Sequence, residues 1–401
     1  MSSRRRGLAT GAGGMALGTA AGLAALAGSR AAGRRIVART ERRLNPTTFI
    51  PPYAASDRAR ALHETLTVAD LHADSLLWGR DLLVRGDRGH VDVPRMIDGN
   101  VALQVFAAST KSPRHLNIER NTDDSDDIIL LAVALGWPPA TWRSLLARAL
   151  YMASRADAMA RRSSGRLTIV RTQADLATHL KTRTPSWPVA AGVLSIEGAH
   201  ALDDDPANVE VVADAGFRMM SPSHFFDNAF GGSAHGVEKG GLTAAGHEMV
   251  CRMEARSMLV DVAHASSMTI DDVLAVATRP VVASHTGVRG VADNARNLSD
   301  DHLRGIAATG GLIGIGFWPT ASGGDDAEAI ARSVKHATNV AGMEHVALGS
   351  DFDGAVQTPF DASGMVQVTD ALLLAGFKDD EVAKVMGGNA IRVLGDSLPA
   401  A

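Results

Sequence analysis

A single cysteine, Cys251, stands in the 401-residue chain, which excludes an intrachain disulfide and any thiolate-based zinc cluster. A bound metal must therefore be held by His, Asp and Glu, and fourteen histidines supply candidates. Basic excess is lacking too: 40 Lys and Arg against 44 Asp and Glu argue against nucleic acid as a partner. Past Pro51 there is no long linker, low-complexity run or repeat, so one domain is the economical organisation. What is present, 46% hydrophobic and 21% charged residues, is the balance of a soluble globular enzyme with a large core.

The beginning of the chain differs from the rest. Three arginines precede a charge-free, Gly/Ala-rich run over residues 7 to 28, and Arg30, Arg34, Arg35, Arg39, Arg42 and Arg43 follow it. Residues 1–45 are therefore expected to be an export signal or an N-terminal membrane anchor, giving a cell-envelope location with membrane contact through the N-terminus. "SRRRGL" loosely resembles a twin-arginine signal, and Ala25-Leu26-Ala27 offers a small-residue cleavage site. Residues 46–401 then form the folded unit.

Eight short apolar segments recur: 68–74, 102–109, 189–198, 217–224, 258–264, 280–285, 311–318 and 345–354. Stretches with helical periodicity separate most of them, notably 244–258, 268–277, 300–309 and 325–341. Strand and helix in alternation imply parallel pairing through crossovers, and eight such units imply an α/β fold, a (β/α)8 TIM-type barrel. The gap between strands two and three, 110–188, is too long for one crossover and reads as a mainly helical insertion.

The strand ends carry the chemistry. "VADLHAD" ends with His72 and Asp74, which in extended chain point to one face. Glu197, His224, His264, His285 and Asp351 stand at five further strand ends, and in such a barrel those ends surround one pocket. An unrelated structural reason would have to hold separately at six of eight ends to explain this away. Imidazoles and carboxylates without thiolate suit zinc or manganese, and five ligands exceed what one catalytic zinc needs. Two ions bridged by a carboxylate fit better, with Glu197 the natural bridge in strand order. The implied chemistry is hydrolysis of an amide-like bond.

The stretches "DLHADSLL", "SIEGAHAL", "GLTAAGHEMVCRMEARSMLVDVAHAS", "PVVASHTGVRGVADNARNLSDDHL", "GLIGIGF", "ALGSDFDG" and "VMGGNAIRVLG", in that order, resemble the membrane (renal) dipeptidase family of zinc peptidases, within the amidohydrolase-like barrels. The resemblance implies two Zn2+ per chain, with His72 and Asp74 on the first, His264 and His285 on the second and Glu197 between them. It implies Asp351 as general acid/base, His224 as the contact to the substrate carbonyl and Arg296 as the grip on the terminal carboxylate of a dipeptide. A homodimer is also left open.

Two departures bear on substrate preference. Trp318 stands where mammalian relatives carry a tyrosine near the substrate carboxylate. Their cysteine pattern and hydrophobic C-terminal tail are also absent. Two alternatives remain at this point: another metal-dependent amidohydrolase acting on a cyclic amide, lactone or N-acyl amino acid, and a non-catalytic barrel. Arg296 discriminates the first, because a carboxylate clamp selects substrates with a free C-terminus. The second is opposed by the presence of every proposed ligand together with Asp351.

Overall fold

The computed structural model describes residues 30–400. Nine strands occur among them: β1 Val68–Ala73, β2 Val101–Ser109, β3 Leu167–Ile169, β4 Ala190–Glu197, β5 Phe217–Met220, β6 Leu259–Asp261, β7 Val281–Thr286, β8 Leu312–Ile315 and β9 Val346–Leu348. Eight of them close a parallel ring, β1-β2-β4-β5-β6-β7-β8-β9, with β9 returning to β1. The fold is thus the (β/α)8 barrel. Strand β3 lies outside the ring, pairing with the start of β4 from Leu167↔Ala190 to Ile169↔Gly192.

The insertion over 110–188 is mainly helical, as expected, and β3 adds a short strand to it. Its helices are Ile128–Leu135, Leu145–Arg162 and Gln173–Thr182, and β3 interrupts them. Three residues are too few for a period-2 pattern to show. The expected helices between later strands are present as Ala244–Ala255, Ser267–Val276, Asp300–Ala308 and Ala327–Ala341. Each begins at a side-chain cap, Thr243, Ser266, Ser299 or Asp326, accepting a backbone N–H from the first turn. Each cap contributes about 1 kcal/mol and marks where the crossover turns back.

Alternation along the strands builds two apolar layers. Leu103, Val105, Ala191, Val193, Met219, Val282 and Leu312 belong to one cluster, while Phe106, Leu194, Phe217, Val281 and Ile313 belong to a second that includes the helices' apolar faces. The first layer fills the barrel below the strand C-termini, so that polar side chains are concentrated above it.

Of the segment 1–45, residues from 30 onward are described. Residues 30–44 form a helix with Val37 and Glu41 buried. Its Gly33 approaches the Ala134 carbonyl so closely that a Cβ there would collide with it. The helix thus carries a buried charge and a buried apolar side chain into the barrel unit. The apolar run at 7–28 lies outside the described residues. Among the described residues no helix is long and apolar enough to cross a membrane.

Candidate metal centre

Two irregularities aim side chains into the site. Asp70 pairs with Gln104 and Ala73 with Phe106, so β1 advances three residues where β2 advances two. Likewise Ala283 pairs with Ile313 and Thr286 with Ile315. Each is a bulge with one extra residue, a device that re-aims side chains near active sites. Consecutive residues can then face the barrel axis, and the Ser284 hydroxyl reaches the Nδ1 of both His285 (2.9 Å) and His72 (3.3 Å).

His224, His264 and Asp351 are not on strands. They follow β5, β6 and β9 in loops, and His264 (φ 64°) and Asp351 (φ 61°) adopt left-handed backbone. Such conformations are costly for residues other than glycine and persist where surrounding structure fixes them. At His264 the carbonyl accepts from Ala234 N at 2.8 Å. In the Asp351 loop, Ser350 donates to Asp70 from both backbone and hydroxyl at 2.7 Å.

The structure brings all nine sequence-expected site residues to one buried place at the strand C-termini. Glu197 is central. Its Oε1 lies 3.5 Å from His72 Nε2, 3.2 Å from His264 Nε2 and 3.4 Å from His285 Nε2, and its Oε2 lies 3.3 Å from His224 Nε2. His72 Nε2 is 3.4 Å from Asp74 Oδ2. Three triads of donor atoms form: His72-Glu197-His285, Glu197-His224-His264 and His72-Asp74-Asp351. Ligands placed tetrahedrally at metal–nitrogen distances near 2.0–2.1 Å are separated by about 3.3 Å, so these spacings suit donors sharing a cation. His72 Nε2 and Asp74 Oδ1 are buried without a hydrogen-bond partner, as open ligand atoms would be.

The hydrogen bonds behind the imidazoles set their tautomers. Asp261 accepts Ser284 N (2.8 Å) and Ser284 Oγ (2.6 Å). With its proton donated to Asp261, the Ser284 oxygen is left to accept N–H from Nδ1 of His285 and His72. The Nε2 lone pairs of both then point at the cluster, the form a metal requires. Asp261 and Ser284 were not singled out from the sequence, although a charged residue in the apolar run "MLVDVAH" was a visible signal. His235 was also missed: its Nδ1 is 2.7 Å from Ile118 O, and its ring lies 5.2 Å from that of His264, tilted by 57°.

Electrostatics favour a cationic guest. Burial raises Glu197 well above the ordinary carboxylate range, with Asp74 adding to it. Burial also raises Asp351, to about 8. Burial would lower His72, but Glu197, Asp74 and Asp351 raise it to about 10. His264 and His285 are held well below their ordinary value by burial and by Arg296. Three crowded carboxylates, with His264 and His285 held neutral beside them, are a donor set that divalent cations stabilise.

Arg296 borders this cluster, buried, with Nη2 donating to His285 O at 2.7 Å. Its guanidinium carbon lies 5.5 Å from the Trp318 ring centroid, and that ring is 5.8 Å from His285. Gly316 makes room for Trp318, since a Cβ there would enter the indole. Among the described residues Arg296 makes no ion pair. Asp300 pairs with His336 at 2.7 Å and Asp301 with Arg304 at 2.9 Å.

The sequence profile described as membrane dipeptidase, peptidase family M19, matches residues 56–398. The chain belongs to that family. As a member it is a peptide-bond hydrolase of the metallopeptidase type. It is 32% identical over 247 residues to an uncharacterized Klebsiella pneumoniae protein encoded in the pqqA 5' region, covering 58% of this chain and 89% of that one. Among solved structures it is similar to the dipeptidase AC, a family M19 metallopeptidase, with TM-score 0.68 and 27% identity over 84% of this chain and all of the other. A Rhodobacter sphaeroides metallopeptidase liganded with a phosphinate mimic of the dipeptide L-Ala-D-Ala gives TM-score 0.68 and 25% identity, covering 83% and 99% of the two chains.

Proposed function

We propose that this family member is a binuclear-zinc dipeptidase, cleaving dipeptides that carry a free C-terminal carboxylate. His72 and Asp74 would hold one ion, His264 and His285 the other, and Glu197 both. When bound, such a pair supplies an activated water and Lewis acidity at the scissile carbonyl. The chain's own groups do the rest. Arg296 takes the substrate carboxylate in a bidentate fork, with Trp318 packed beneath it. His224, neutral because burial holds its pKa well down, offers Nε2–H to the carbonyl oxygen as that oxygen gains charge. Asp351 takes the proton from the attacking water and returns it to the leaving amine nitrogen.

Arg296 is the observation that carries the reading. A buried cation with no ion pair among the described residues, beside a centre that would hold further cations, is costly unless substrate supplies the anion. The dipeptide mimic bound to the Rhodobacter sphaeroides relative supports the same substrate class. The Gly/Ala-rich run before the described residues supports delivery to the cell envelope.

Elemental analysis tests the metal count. The purified chain should hold close to two divalent ions, and Glu197→Ala should lose both, since Glu197 oxygens lie within 3.5 Å of four imidazoles. One ion or fewer in the parent, unchanged by Glu197→Ala, contradicts a binuclear site.

A further inference from the structure

The loop that carries Asp351 is strained at three points and tied down from a distance. Asp351, Asp353 and Ala355 all have positive φ, at 61°, 64° and 61°. Asp351 faces the donor cluster. Asp353, two residues on, is fully buried and holds the loop to other parts of the chain. Its carboxylate accepts from Ser75 Oγ (2.5 Å), from His90 N (2.6 Å) and from Arg80 Nη2, and its carbonyl accepts from Trp78 Nε1 (2.7 Å).

Arg80 is in turn held by Glu41. The guanidinium donates from Nε to Glu41 Oε1 and from Nη1 to Val91 O at 2.6 Å. Glu41, entirely buried on the helix at 30–44, also accepts from Arg88 Nε at 2.5 Å. The same N-terminal segment reaches the loop a second time, where Asn45 Oδ1 accepts from Ala355 N at 2.8 Å. The ties thus meet the loop on both sides of Gly354.

We infer that Glu41, acting through Arg80 and Asp353 and assisted by Asn45, is a positioning residue that fixes the loop and so the aim of the Asp351 carboxylate. A buried chain of alternating charges is expensive to form and costly to break at one link. Here it spans from a helix outside the barrel to the loop proposed to move the proton. Stability alone would be served as well by apolar packing. An alternating set of charges whose last member lies two residues from Asp351 supplies directional constraint on that loop. Glu41 and Asn45 thus act on the Asp351 loop without touching substrate.

The inference rests on the proposed role of Asp351, so Asp351→Asn is measured beside the variants in the full-length chain. Kinetics are expressed per metal-loaded folded molecule, with KM, metal content and melting temperature read separately. Glu41→Ala should lower kcat about tenfold or more, the scale of a small misplacement of a reacting group, with KM and metal content near the parent. Glu41→Gln, which keeps an acceptor for Arg80, should recover most of that loss. Asn45→Ala should lower kcat in the same direction by a smaller factor. A purely structural brace would lower only melting temperature and yield. If Glu41→Ala is not recovered folded, Asn45→Ala decides. Parent-like kcat in folded Glu41→Ala, or failing that in Asn45→Ala, with Asp351→Asn inactive, overturns the inference while sparing the role of Asp351. Full activity of Asp351→Asn would instead overturn that role and, with it, this inference.

Discussion

Asp351→Asn should lower kcat by about 100-fold or more, the usual contribution of a positioned acid or base, while the chain still binds metal. Asparagine keeps the size and hydrogen-bonding capacity of the side chain and removes only its ability to carry a proton. The site supports that role. Asp351 is buried within 4.8 Å reach of His72 and Asp74, and burial raises its pKa to about 8. Its left-handed backbone is maintained by Ser350, Asp70 and the ties to Asp353, and none of these depends on the Asp351 charge. The check is kcat beside elemental analysis on the same preparation. Because Asp351 also completes a donor triad with His72 and Asp74, loss of both ions together with activity would make it a ligand and move the proton transfer elsewhere.

Arg296→Ala should weaken kcat/KM for dipeptides by about 2–5 kcal/mol, as when one partner of a desolvated charge pair is removed. The size follows from burial. Arg296 is 5% exposed, and its pKa is pulled down to about 10, chiefly by desolvation. Water therefore screens little of its attraction for a carboxylate. The variant should keep its metal, because Arg296 touches the cluster only through His285 O. Some of the loss will reflect packing, since the guanidinium also lies over Trp318. Arg296→Lys separates the two: charge is kept, the planar fork is lost, and an intermediate value is expected.

The residues that were legible in the sequence share one property: each is a polar group interrupting an apolar strand or standing just past it. His72, Glu197 and His285 could be found in that way because polar groups at several strand ends converge on one pocket in a barrel. Their geometry was not legible. The i, i+2 argument for His72 and Asp74 assumes a regular strand, whereas β1 and β7 bulge at 70–73 and 283–286, and a bulge is defined by its partner strand. The strands were expected to run on through His224, His264 and Asp351 but end at Met220, Asp261 and Leu348, and His264 and Asp351 are left-handed where extended chain was expected. Glu41 was hidden by its surroundings: an arginine-rich stretch next to an apolar run reads as a leader, and its partners Arg80 and Arg88 give no local cue. Asp261 and Ser284 act through hydrogen bonds between neighbouring strands, which only the closed barrel brings together.

The most direct test of the account is the ratio of kcat/KM for a dipeptide to that for the same dipeptide with its C-terminus amidated, measured on the metal-loaded parent. The two substrates present the same scissile bond to Glu197, His224 and Asp351 and differ only in the group offered to Arg296. The account requires the amide to be the poorer substrate by a margin close to the Arg296→Ala loss, and that variant should treat the two nearly alike. Equal cleavage of dipeptide and amide by the parent would contradict it and leave a broader amidohydrolase in its place.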